Sequence, residues 1–269
     1  MRIKISHETR YHFEVSPNHL VQRLHLTPTD FASQKTLSWK ITAPGIEDAL
    51  CYVDGFGNSI HLITAHQPSQ DSTILAEGEI ETQDSLGVVR GLSMFTPDNV
   101  FLRQTLATMP DAAMLTAVAA ISGTKDALEM GHALMTLLHE AITYEVGTSD
   151  AKTTAAESFA AGRGVCQDHA QAMVGMARSL NIPARYVTGY LVTGVGASAA
   201  AAHAWAELLV PNLGWVGFDA ANDQCPTEHY VRLASGLDAG AIAPIKGSRR
   251  GDIGSEHLTV AVRAEIEQQ

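Results

Sequence analysis

Three residue types that together can open an amide bond occur in the second half of the chain, in the order cysteine, histidine, aspartate. They are Cys166 in "GRGVCQDHAQAMVGMARSLNIPARYVTGYL", His203 in "HAWAELLV" and Asp219 in "GWVGFDAAND". Cys166 follows a glycine-rich run, and an apolar helical pattern (Ala170, Met173, Val174, Ala177) begins just behind it. This places the thiol in the first turn of a helix that starts near Gly164. There, unpaired N–H groups and the positive end of the helix dipole favour the thiolate, which is the reactive form. Most lone cysteines are buried and structural, so the partners matter more than the cysteine. His203 and Asp219 fall on two predicted strands joined by "PNLG". A hairpin turning at Pro211 sets them opposite each other, whereas one centred on Asn212-Leu213 offsets them. In the first arrangement Asp219 accepts a hydrogen bond from one imidazole nitrogen and the other nitrogen faces Cys166. Alone, Asp219 reads equally as a cap of the turn "DAAND" and His203 as an ordinary strand residue. The three in this order are far more specific than any one.

Around them stand lesser candidates. Gln167 is a candidate to line the site, and the backbone N–H of Cys166 is the expected oxyanion donor. Asp168 is at least a favourable first-turn charge. Tyr190 is placed equally in the site or the core. Trp205 and Trp215 share strand parity with His203 and Asp219; packing the sheet is their first reading and walling the cleft their second. Cys225 has no base near it in sequence and reads as structural. The remaining histidines, His132 and His139 among them, lack zinc-motif spacing, and no calcium-loop pattern of carboxylates occurs. No metal and no other cofactor is expected.

The elements that must position these residues come in two kinds. Residues 1–105 read as β: Ile3, Ile5, Tyr11, Phe13 and Val15 fall on one strand face, and "YVDGFGNSIHLITA" reads as two short strands around a Gly-Asn turn. Past Met109 the period changes. Leu128, Gly131, Leu134, Leu138 and Ile142 form a helical stripe. Thr154 and Glu157 have capping-box spacing, with Gly162 or Gly164 as the stop and Pro183 ending the next helix. Strands then return through "HLTVAVRAEI", and "GVGASAAAA" (194–202) reads as a small-residue loop without the lysine of a phosphate-binding loop. The expected fold is α+β: a β-rich N-terminal domain, 1–105, then a domain of helices and an antiparallel sheet, 106–269, meeting near residues 105–120.

Composition narrows the function classes. A formal net charge of -11 over 269 residues disfavours nucleic acid as a partner. No run of eighteen apolar residues predicts a membrane span. The opening residues lack the apolar core of a secretion signal. With three widely spaced cysteines and no CxxC pair, the chain is expected in the cytoplasm.

The stretch from Gly162 to Leu191, followed by "HAWAELLVPNLGWVGFDAAND", closely resembles the core of the transglutaminase-like superfamily in its microbial branch, and residues 1–105 resemble the β-rich region that commonly precedes it. The resemblance implies a papain-like core and gives Cys166, His203 and Asp219 the roles of nucleophile, base and orienting carboxylate. It gives Asp168, in a "CxD" pattern, the role of anchor behind the helix start. It implies a cysteine peptidase or amidase acting on a peptide or protein amide through a thioester. The alternatives are an acyltransferase that passes the acyl group to a primary amine, and a peptide-binding module that lost its chemistry. The chain departs from the family pattern in three places. Leu237 stands for an arginine, Ala239-Gly240 for an aromatic and an aspartate, and His169 for a commoner aromatic. The first two departures fall where the family builds its cleft rim.

Overall fold

The alternation that opens the chain produces a long strand buried on one side. In a computed structural model describing residues 1–123, 126–193, 200–251 and 254–267, β1 (Arg2–Phe13) buries Ile3, Ile5, His7, Thr9, Tyr11 and Phe13. Val15 lies beyond the strand and is exposed. The elements that follow are β2 (His19–Leu24), β3 (Gln34–Thr42), β4 (Leu50–Val53), β5 (Ser59–His66), β6 (Asp71–Thr82) and β7 (Val88–Val89). Next come α1 (Ala112–Ile121), α2 (Ala127–Ala141), β8 (Thr143–Tyr144), α3 (Ala155–Ala161), β9 (Arg163–Gly164) and α4 (Cys166–Ser179). The chain closes with β10 (Ala184–Val192), β11 (Ala200–Val210), β12 (Gly214–Phe218), β13 (Tyr230–Gly236), β14 (Ile245–Arg250) and β15 (Glu256–Glu267).

Two four-stranded sheets, β15-β1-β6-β3 and β14-β2-β5-β4, pack face to face over Phe13, Leu20, Leu24, Ile63 and Ile74. The predicted Gly-Asn turn joins β4 to β5: Asp54 accepts from the N–H groups of Phe56 and Asn58, and Gly57 takes φ 83°. The second body is a five-stranded antiparallel sheet, β13-β10-β11-β12-β7. Helix α4 lies across it, so that Met173 and Ala177 share a core with Ala204, Ala206 and Leu208. The result is β-rich sheets followed by an α+β core, as expected from the change of period.

The division of the chain differs from the expected 1–105 and 106–269. Strand β15 pairs with β1 along its whole length, Arg2↔Glu267 to Phe13↔Glu256, and β14 pairs with β2. The last strands therefore complete the N-terminal sandwich, and "HLTVAVRAEI" does not extend the second sheet. In return β7 adds to the core sheet beside β12. The physical reason is edge closure: β1 and β2 would otherwise present long unpaired edges.

Local signals behave as read, with two adjustments. Thr154 and Glu157 form a capping box, and Gly162 ends α3 at φ 65°. Helix α4 stops at Ser179 and turns through Asn181 at φ 60°, before Pro183 is reached. Of the predicted loop 194–202, residues 194–199 lie outside the described residues, and Ala200 already belongs to β11.

Candidate active site

The start of α4 is held by its own sequence. Val165 precedes the helix in an extended conformation, and its N–H donates to Oδ2 of the fully buried Asp168 at 2.7 Å. The Ser149 hydroxyl donates to the same oxygen at 2.6 Å. A Cβ at Gly164 would come within 2.7 Å of that oxygen, so the glycine before Cys166 is needed for a close approach. His169 reaches backwards: Nδ1 lies 2.9 Å from the Val165 carbonyl and Nε2 2.9 Å from that of Ile142. The histidine that departs from the family pattern thus fixes the turn carrying the thiol. Gln167 donates to the Asp150 carbonyl at 3.3 Å and lines the cleft.

His203 comes from β11, paired with Gly189 of β10. The hairpin from β11 to β12 pairs Val210 with Gly214 and Ala206 with Phe218, so it is centred on Asn212, which takes φ 66°. Asp219 is therefore offset from His203 and stands diagonal to it. The offset is an even number of residues, so both side chains keep the same face. Nε2 of His203 lies 2.6 Å from Oδ2 of Asp219. A carboxylate only accepts, so Nε2 donates and Nδ1 is the ring nitrogen left for Cys166; the thiol is near enough to influence the charge on the ring. Cys166 and His203 open onto one cleft of about 380 Å³.

The electrostatics follow from burial and charge. Burial alone would lower the His203 pKa, but hydrogen bonds and charge from Asp219 and Cys166 raise it to about 9. Burial would raise the Asp219 carboxyl, yet hydrogen bonds from His203, Asn222 and Tyr230 hold it below its ordinary value. Asn222 donates at 2.7 Å and the Tyr230 hydroxyl at 2.7 Å, while Gln224 donates to that hydroxyl at 2.8 Å. Asp219 also accepts from the Ala221 N–H at 3.1 Å, so it caps its turn as well as binding the histidine.

Two lesser candidates sit elsewhere. Tyr190 is buried and binds Nδ1 of His7 at 2.8 Å, so it ties β10 to β1 and does not line the cleft. Trp205 is buried behind His203, its ring edge-on to Tyr230 with centroids 5.5 Å apart, and it is absent from the cleft wall. Trp215 packs under the Arg185 guanidinium, 4.0 Å from its ring centroid, in a buried cluster where Arg185 and Arg232 both bind Glu207. Sequence reasoning missed Asn222, Tyr230 and Tyr186, the last of which lines the cleft beside Cys166. Asn222 was within reach, since it lies in the same turn. Tyr230 was not, because nothing local says that β13 lies beside β10. Ala239 and Gly240 do form part of the cleft wall. Among the described residues no cluster suited to a metal ion occurs, and no helix is long and apolar enough to cross a membrane.

This arrangement, a helix-borne cysteine facing a strand-borne histidine and aspartate beside a β sandwich, has relatives. Residues 116–220 match the transglutaminase-like superfamily, and residues 3–81 match the bacterial transglutaminase-like N-terminal region. The chain belongs to the transglutaminase-like superfamily and carries its bacterial N-terminal region. Among curated proteins, an uncharacterized protein of Mycobacterium leprae is 24% identical over 275 residues, 97% of either chain. One of Mycobacterium tuberculosis is 24% identical over 276 residues, 91% of this chain and 87% of that one. Among solved structures, a candidate cysteine protease from Cytophaga hutchinsonii covers 97% of this chain and 90% of its own at 21% identity, with a TM-score of 0.76. That likeness establishes the fold. The periplasmic domain of TgpA from Pseudomonas aeruginosa is also similar, at 16% identity over 80% of this chain and 87% of its own, with a TM-score of 0.42. That neighbour is a periplasmic domain, and the expectation of a cytoplasmic chain is withdrawn. Its basis was the sparse cysteines, but all three are free, and a fold that needs no disulfide carries no mark of its redox compartment.

Proposed function

We propose that the chain is a cysteine amidase or peptidase that hydrolyses a peptide or isopeptide bond through a thioester on Cys166. The observation that carries this reading is the hydrogen-bonded pair of His203 and Asp219, with Cys166 and His203 lining one cleft. With its pKa raised to about 9, His203 is an imidazolium at neutral pH and serves as counter-ion to a thiolate. The thiolate attacks the amide carbonyl and forms the C–S bond. The oxyanion develops beside the Cys166 N–H, which has no acceptor within the helix. His203 gives its proton to the leaving nitrogen as the C–N bond breaks. It then takes a proton from water, the hydroxide displaces the thiolate, and the acid leaves. Asp219 fixes the imidazole tautomer and stays ionised throughout.

Water is favoured over a lysine amine as the acceptor because, among the described residues, no carboxylate side chain lines the cleft to draw in a cation. The test offers a panel of peptide amides together with a labelled primary amine at millimolar concentration, and reads free acid against amine adduct by mass spectrometry. Free acid is expected to dominate. Cys166→Ala and His203→Ala are each expected to lower turnover by about 10³-fold or more with circular dichroism unchanged. Dominant adduct would make the protein an acyltransferase. No turnover, with Cys166 slow towards iodoacetamide, would leave only a peptide-binding role.

A further inference from the structure

The wall of the cleft facing Cys166 is the segment "LDAGAIAP", residues 237–244, and its composition runs against recognition of a charged group. Ala239, Gly240, Ile242 and Pro244 line the cleft together with Val165 and Ala202. Among the described residues no Asp, Glu, Lys or Arg side chain does so; the polar groups at the cleft are Cys166 and His203 themselves, with Gln167, Tyr186 and Thr188.

This wall is fixed before any ligand arrives, because other elements hold its carbonyl groups. Arg178 of α4 donates to the Leu237 carbonyl at 2.8 Å, and Arg23 of β2 to that of Ala241 at 2.7 Å. Nδ1 of His25 lies 3.0 Å from the Ala243 carbonyl, and Nζ of Lys246 lies 3.0 Å from that of Gly240. The basic groups near the wall are thus spent on its backbone, and its small side chains are left facing the cavity. A fixed, apolar, concave surface with few polar groups is the ordinary form of a site for an uncharged side chain.

Resting on the reading of Cys166 as a nucleophile, we propose that segment 237–244 is a specificity-determining wall that selects a neutral aliphatic or aromatic side chain on the acyl part of the substrate. The acyl part is singled out because it stays bonded to the Cys166 sulfur in the thioester, so the cavity around that sulfur has to accommodate it. A charged side chain there would lose its hydration and meet no charged side chain among the described residues that line the cavity, since Asp238 of the same segment is outside the lining and accepts from the Ala241 N–H.

Peptidyl chloromethyl ketones test this without turnover. The Cys166 thiolate displaces chloride, forming one C–S bond as one C–Cl bond breaks. Probes identical except for Leu, Lys or Glu next to the reactive carbon are compared, each rate divided by that of iodoacetamide on the same protein. The Leu probe is expected to react at least about tenfold faster than either charged one. Ala239→Asp is expected to shift the ratio towards the Lys probe, and Ala239→Phe, which fills the cavity, to slow the Leu probe selectively. A flat series, or a preference for a charged probe, would overturn the wall's role while brisk alkylation by iodoacetamide left the nucleophile standing. A Cys166 inert to iodoacetamide would overturn both.

Discussion

At the scale of single residues, the decisive quantity is the charge on His203. It is buried, and the neighbourhood of Asp219 and Cys166 raises its pKa to about 9 against the cost of that burial. A histidine whose folded pKa exceeds its unfolded value contributes stability that is complete below about 6.5. That contribution is lost as the pH rises through about 9. In the proposed mechanism the same proton is given to the leaving nitrogen, so kcat/KM for amide hydrolysis is expected to fall on an alkaline limb near pH 9. Asp219→Asn removes the negative partner of Nε2. It should move that limb to lower pH and cut turnover by about 10²–10⁴-fold. A pH–rate profile of both proteins checks this, and an unmoved limb would mean that Asp219 does not set the His203 charge. The three central residues were legible in the sequence because order, helix start and strand parity are local properties. Tyr230 was invisible because its hydroxyl reaches Asp219 from a strand 11 positions along, in an arrangement that only the sheet order creates. Tyr190 was undecided in the sequence for a related reason: a strand with two buried faces gives an apolar run without a marked inside and outside.

At the scale of elements, α4 is the part that has to be placed accurately. Its apolar stripe was readable, but the helix is buried almost all round, with Gln171 and Arg178 as well hidden as Met173. Periodicity cannot announce that, since it reports one stripe and says nothing of a second covering layer. The covering layer here is the turn at residues 105–108. Gln104 donates to the Gly175 carbonyl at 2.8 Å, and a Cβ on Gly175 would meet the Thr108 carbonyl oxygen at 1.8 Å. Backbone cannot swing aside as a flexible side chain can. Gly175→Ala is therefore expected to destabilise the protein by about 1–3 kcal/mol through overpacking, despite the better helix propensity of alanine. It should lower Tm in a thermal melt and slow Cys166 alkylation as the helix start shifts. An unchanged or raised Tm would show that propensity outweighs the contact. The hairpin from β11 to β12 carries a similar lesson. Its connecting residues admitted two registers, and only the left-handed Asn212 settles on the offset one.

At the scale of the whole molecule, the two bodies are interdependent in a way that a boundary near residue 105 hides. The sandwich takes β14 and β15 from the far end of the chain. It gives back Arg23 and His25, which hold the cleft wall. A polar seam runs between them: Gln34 binds both the N–H and the carbonyl of Arg232, Asn58 does the same for Ser235, and Thr82 donates to the Glu228 carbonyl at 2.6 Å. The Arg232 and Ser235 groups are buried main-chain groups satisfied from across the seam, so separating the bodies would exchange these bonds for bonds to water at a net cost of about 0.5–1.5 kcal/mol apiece. The change of period past Met109 revealed that two kinds of structure follow one another. It could not reveal that the final strands return, because "HLTVAVRAEI" alternates equally well against either sheet. A fragment of residues 1–105 is consequently expected to lack a cooperative transition in calorimetry, since β1 and β2 lose the neighbours on one side. Truncation after Pro244 should do the same to the sandwich of the longer chain, and should also slow the Leu chloromethyl ketone relative to iodoacetamide as the wall loses its support. The intact chain should unfold in a single transition. A sharp, independent transition from the 1–105 fragment would show that the sandwich closes without its C-terminal strands, and the coupling between sandwich and cleft would then have to rest on the seam alone.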